Sequence, residues 1–290
     1  MPFQPDYPVQ PERQAYTFEA PGSETGVLMI HGFMGSPLSS RGMSHYLCER
    51  GISVHCPLLP GHGHWPDKFH KVPRQAWLEE AREGLNRVRQ MAPEIFILGH
   101  SMGNALGAEL AARNPDDIRG MVLLAPTYDV PDQRLRLLRL LRYVMPWFQA
   151  EKFSKTRALA RERILDFDPE FDFDAPGAPE RMAEMARVPT GGIDEMRKTL
   201  DRAKPLWSQV HVPALILQGA DDFAISPRSG QIIQQEWGHF DADFHEYPDT
   251  EHELMRDFVP AHSDVWQRVY TFILRHARRL AEPSHESLPA

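Results

Sequence analysis

Gly99-His100-Ser101-Met102-Gly103 joins two segments of opposite hydrophobic habit. Before it, Ile95-Phe96-Ile97-Leu98 is a continuous apolar run, as expected of a strand buried on both faces. After it, residues 102–113 are rich in Ala and Gly, read as a helix and stop ahead of Asn114-Pro115. A serine between two glycines at such a junction sits on a sharp strand-to-helix elbow. The glycines let the neighbouring chain approach without a Cβ clash, and the elbow raises the Ser101 hydroxyl above the sheet.

Working outward, the same strand-and-helix rhythm recurs. Further strands are expected at 26–30, 52–56, 121–124, 214–218 and, more amphipathic, 243–247. Helices are expected at 74–91 and 263–280. Apolar strands separated by helices predict an α/β fold, with a mostly parallel sheet covered on both faces. Between the strands at 121–124 and 214–218, the stretch 131–208 shows helical patterning and no strand. It is too long for a loop and is expected to form a helical cap of its own. The core is then 15–130 and 209–282, with loose termini at 1–14 and 283–290.

Bulk properties narrow the function classes. The 290 residues are 42% hydrophobic and 25% charged, values of an ordinary globular chain with a sizeable core. A net charge of -8 argues against nucleic acid as a partner. No apolar run approaches the roughly 20 residues of a membrane span, and the beginning Met1-Pro2-Phe3-Gln4 does not read as a secretory signal. A cytoplasmic protein is expected. Cys48 and Cys56 are read as apolar fillers in a reducing compartment, with a disulfide as the alternative.

A hydroxyl is a weak nucleophile and needs a base, which needs an orienting acid. On strand-elbow-helix scaffolds these follow in the order Ser, Asp or Glu, His. After the strand at 214–218 comes Gly219-Ala220-Asp221-Asp222, and Asp222 is the expected acid, with Asp221 the alternative. After 243–247 comes Pro248-Asp249-Thr250-Glu251-His252, and His252 is the expected base. The first helical residue after the elbow offers the Met102 N–H to a developing oxyanion. The turn His31-Gly32-Phe33-Met34-Gly35 offers the Phe33 N–H opposite it. His100 and Phe33 are candidate substrate contacts, with packing the alternative for His100. His31 and His62 are expected to bond nearby backbone. His62, His64 and His70 lack a carboxylate at ligand spacing, so no metal is expected there. The chemistry needs no metal or organic cofactor.

These residues resemble the α/β-hydrolase superfamily, and more narrowly its bacterial monoacylglycerol lipases and related small carboxylesterases. The resemblance spans roughly 25–275 and is carried by residues 30–37, Pro60-Gly61-His62-Gly63, the elbow, Val188-Pro189-Thr190 and residues 212–216. It implies Ser101, Asp222 and His252 as a catalytic triad, Phe33 and Met102 as oxyanion donors, and short-to-medium acyl esters, among them monoacylglycerols, as substrates. Asn104 stands where a glycine is common, and Glu251 where a glycine usually precedes the histidine. A carbon–carbon hydrolase or amidase using the same triad, or a ligand receptor on this fold, are the rival readings.

Arg134 to Phe148 is basic and amphipathic: either weak contact with a lipid interface or a cap helix packing its leucines inward. The acidic run Asp166 to Asp174 opposes an anionic membrane, and its Phe167, Phe171 and Phe173 either line an acyl pocket or anchor the cap.

Overall fold

The computed structural model describes residues 2–129, 144–149, 170–226, 228–239 and 241–277, and residues 157, 160, 161, 164, 165, 167 and 168. Seven strands form one sheet: β1 (Tyr16–Phe18), β2 (Thr25–Ile30), β3 (Ile52–Cys56), β4 (Glu94–His100), β5 (Ile118–Leu124), β8 (Ala214–Gly219) and β9 (Ala242–Tyr247). Their spatial order is β1-β3-β2-β4-β5-β8-β9, with β1 antiparallel and the other neighbours parallel. This is the mostly parallel, doubly covered sheet of an α/β-hydrolase fold.

Alternation along each strand divides the core in two. Leu28, Ile30, Ile97, Met121, Leu123 and Ile216 pack on one face with Trp77, Leu85 and Leu106. These come from α2 (Arg74–Met91) and α3 (Met102–Arg113). Val27, Met29, Leu98, Val122 and Leu217 pack on the other face with Met43, Leu47, Val269 and Phe272. Those side chains belong to α1 (Arg41–Cys48) and the C-terminal helix, His262–His276. Residues 102–111 of α3 are all buried, which explains a helix built from Ala and Gly.

Register sets the site. Ile30 pairs with Gly99, and His100 with Leu124. The segments leaving β2, β4, β5 and β8 therefore emerge at one edge, the carboxyl ends where open parallel sheets collect ligands.

Three expectations need correction. The interval 131–208 is not strand-free: β6 (Trp147–Gln149) pairs antiparallel with β7 (Arg187–Pro189). Strands of three residues are too short to show a period, and β1 escaped notice for the same reason. The N-terminal arm is tied down. Phe3 N–H donates to Glu80 Oε2 at 2.7 Å, and Tyr7 Oη donates to the His62 carbonyl at 2.9 Å. Arg13 is buried, its guanidinium 3.7 Å above the Phe167 ring. A polar, proline-rich composition weakens regular structure but does not prevent an extended segment from docking through aromatic and arginine side chains. Finally, the last described helix stops at His276, short of residue 280.

In the region between β5 and β8, Ala160, Ile164, Phe171, Ala178 and Ala186 form a third apolar cluster, with Phe148, Phe173, Met182 and Met185 against it. Phe171 and Phe173 thus pack within this region. Phe167 sits on Trp65 at 4.7 Å. Residues 134–143 of the basic stretch, and Asp166 and Pro169 of the acidic one, lie outside the described residues, as do 278–290. Cys48 and Cys56 are free thiols. Among the described residues no helix is long and apolar enough to cross a membrane.

His55 on β3 gives the fold a pH signature. Burial, aided by the Arg87 charge, pushes its imidazole down to about 4. Below about pH 6.5 the unfolded chain takes up a proton that the folded chain refuses. Stability from neutral His55 is full above that pH and is lost on acidification towards pH 4. In urea titrations, the parent should lose about 3 kcal/mol more than His55→Gln between pH 7 and pH 4. Equal losses would contradict this.

Candidate active site

The elbow is built by close approach. Ser101 holds φ 53 and ψ -120, a strained backbone for a residue with a Cβ. A Cβ on Gly103 would overlap the carbonyl oxygen of Ile30, so the elbow helix rests directly on the end of β2. A Cβ on Gly99 would come within 2.6 Å of the Asn104 backbone. Asn104 itself ties the turn together: its Nδ2 donates to the carbonyls of Ser101 at 3.1 Å and Leu124 at 3.0 Å.

The segment after β2 lies against the elbow. A Cβ on Gly32 would stand 3.0 Å from the Ser101 Cβ. The turn is closed by Gly35 N–H donating to the Gly32 carbonyl at 3.0 Å, with Met34 at φ 61. His31 orients it. Its Nδ1 bonds the Gly32 carbonyl at 3.0 Å, and its Nε2 accepts the Leu59 N–H at 3.1 Å. That pair of bonds selects the neutral ring with its proton on Nδ1. Phe33 follows Gly32, its ring stacked on Phe69 at 4.9 Å. Met102 opens α3, so its N–H belongs to the first turn, which has no acceptor within the helix. His62 bonds the Pro60 carbonyl through Nδ1 at 3.0 Å, a structural role like that of His31.

The acid and base loops meet beyond β8 and β9. Asp222 Oδ2 lies 2.7 Å from His252 Nδ1. Its other oxygen accepts the N–H groups of Ala224 at 2.9 Å and Ile225 at 3.2 Å. The side chain is wholly buried, so these bonds replace its hydration. Asp221 is exposed instead, while its N–H donates to the Thr250 carbonyl two residues before His252. A Cβ on Gly219 would overlap that same carbonyl, which is how the two loops come so close. The structure therefore pairs Asp222, rather than Asp221, with His252.

His100 is buried, and its Nε2 bonds the His252 carbonyl at 3.2 Å, with the two rings 5.0 Å apart. Burial lowers its pKa and keeps the ring neutral. Of its two expected roles, packing against the His252 loop is the one the geometry displays. Thr127 escaped the sequence reading. Its Oγ1 is 3.2 Å from Ser101 Oγ. The available signal was its place just past the carboxyl end of a core strand, where functional residues collect.

A strained serine elbow at the sheet edge, a buried aspartate on a histidine and a tight turn after the first parallel strand define an α/β-hydrolase. The chain belongs to the Hydrolase_4 family, described as serine aminopeptidase, S33, which it matches over residues 23–258. It is 28% identical over 221 residues to the thermostable monoacylglycerol lipase of Bacillus sp. (strain H-257), covering 76% of this chain and 80% of that one. It is 23% identical to a carboxylesterase of Bacillus subtilis (strain 168), over 87% and 94% of the two chains. Among solved structures, the monoacylglycerol lipase of Paleococcus ferrophilus matches with a TM-score of 0.70 at 17% identity, over 91% of this chain and 98% of that one. That likeness concerns the fold.

The elbow's packing is open to test. In Gly103→Ala the added methyl meets backbone that cannot swing aside, which is expected to cost at least about 1–3 kcal/mol of stability. Thermal unfolding reads this, and an unchanged Tm would contradict the described contact.

Proposed function

We propose that this enzyme is a serine esterase that hydrolyses carboxylic esters with short-to-medium acyl chains, monoacylglycerols among them, through an acyl-enzyme on Ser101. The observation that carries this reading is the buried Asp222–His252 pair at 2.7 Å at the same sheet edge as the strained Ser101. Ser101 is the nucleophile. His252 takes its proton as Oγ attacks the ester carbonyl, and Asp222 fixes the ring tautomer and stabilises the cation. The N–H groups of Phe33 and Met102 receive the oxyanion, each such donor being worth roughly 3 kcal/mol in the transition state. His252 then returns the proton to the departing alcohol, and water repeats the sequence on the acyl group. The relatives named as monoacylglycerol lipase and carboxylesterase support the ester class.

The region 131–208 is proposed as a cap over this site. An apolar cap suits an acyl chain, whose methylenes contribute about 0.8 kcal/mol each when buried. Exclusion of water there strengthens the oxyanion contacts. The free thiols favour a cytoplasmic setting. The family's description as a serine aminopeptidase supports a second reading, amide hydrolysis by the same residues.

Treatment with a fluorophosphonate should label the parent and leave Ser101→Ala unlabelled. Turnover of p-nitrophenyl esters of graded length, beside monoacylglycerols and aminoacyl anilides, then separates the classes. Short or medium esters turned over faster than anilides support the esterase. Faster anilide cleavage would establish the amidase. In the same assay, Asp222→Asn should lower kcat on the order of 10^3–10^4-fold, whereas Asp221→Asn stays close to the parent. A loss confined to Asp221→Asn would overturn the assignment of the acid.

A further inference from the structure

Thr127 follows an over-determined turn at Leu124 and Ala125. Ser101 N–H donates to the Leu124 carbonyl at 3.0 Å, and Asn104 Nδ2 donates to that same carbonyl. The next residue, Ala125, sits at φ 41, a left-handed conformation that a residue with a Cβ rarely holds. Its N–H is fastened to the Leu217 carbonyl at 2.8 Å. Strain of this kind persists where the surroundings enforce it, often at functional sites. The outcome is a buried hydroxyl, that of Thr127, aimed at Ser101 Oγ from 3.2 Å.

The contact is with the reacting atom. Attack requires Ser101 Oγ within hydrogen-bond reach of His252. Among the described residues, Ser101 Oγ bonds Thr127, and no hydrogen bond joins it to the His252 ring, which is held by Asp222. Taking Ser101 as nucleophile, as proposed above, we infer that Thr127 is a positioning residue: it parks the serine hydroxyl away from the base in the resting enzyme. A buried hydroxyl gives up its hydrogen bond at a cost, so the parked rotamer is favoured. The nucleophile turns to His252 when substrate or inhibitor enters and the latch opens. The fraction of attack-ready enzyme scales the observed acylation rate, as for any conformer that must be populated before reaction.

The test is the second-order rate of fluorophosphonate labelling of the full chain, with folding checked by circular dichroism. Thr127→Val keeps the branched shape and removes the hydroxyl. It should label about fivefold faster than the parent, the weight of one neutral hydrogen bond. Thr127→Ser keeps the hydroxyl and should label at the parent rate. A purely structural role for Thr127 slows labelling or leaves it alone, so a rate at or below the parent in folded Thr127→Val overturns the latch. If Thr127→Val does not fold, Thr127→Ala carries the same comparison with the same two outcomes. Ser101→Ala separates the two claims. Labelling that survives there removes the nucleophile assignment and the latch with it. Labelling abolished there, with no acceleration in the Thr127 variants, removes the latch alone.

Discussion

Ser101 keeps a positive φ at the turn between β4 and α3, and much of the molecule is arranged to make that conformation the stable one. α3 can follow so sharply because Gly103 lets it rest on the Ile30 carbonyl. The helix then runs between the sheet and the helix Thr190–Ala203, which is why residues 102–111 are all buried. Asn104, one turn in, stitches the elbow to the end of β5 through two carbonyl bonds. A serine raised in this way has its hydroxyl presented and a helix N-terminus beneath it, conditions that favour an oxyanion there.

Around this point the parallel register delivers the other groups without long excursions. The segments following β2, β5, β8 and β9 carry His31–Gly35, Thr127, Asp222 and His252 to one edge. Two close contacts of glycine with backbone, Gly32 against the elbow and Gly219 against the Thr250 carbonyl, bring separate loops within hydrogen-bond range. Two neutral histidines support the arrangement from behind. His31 fixes the turn that holds Phe33, and His100 fixes the carbonyl of His252. His31 must remain uncharged, because its Nε2 accepts the Leu59 N–H. Burial lowers the pKa of His100, whose Nε2 donates to the His252 carbonyl.

The elbow, the main parallel strands and the Asp222–His252 pairing were legible because each is local or follows from chain order. An apolar run ending in Gly-His-Ser-Met-Gly needs no tertiary information, and loops after successive strands must fall at the same edge. What stayed hidden depends on contacts far apart in sequence. Arg13 reads as an arm residue until Phe167 covers it, 154 positions away. Asn104 reads as a departure from a glycine pattern until Leu124 supplies its second acceptor. Thr127 has no motif around it, and its meaning comes from Ala125 turning left-handed beyond β5. The ribbon of β6 and β7 is too short to leave a periodic trace.

The central claim is that the hydroxyl raised on the elbow forms the covalent intermediate. The direct measurement is mass spectrometry of the protein quenched by acid during turnover of a p-nitrophenyl ester, with the modified peptide fragmented to locate the added mass. The account predicts one acyl group on Ser101. An acyl group on another residue, or turnover with no acylated protein under conditions where deacylation limits the rate, would contradict it.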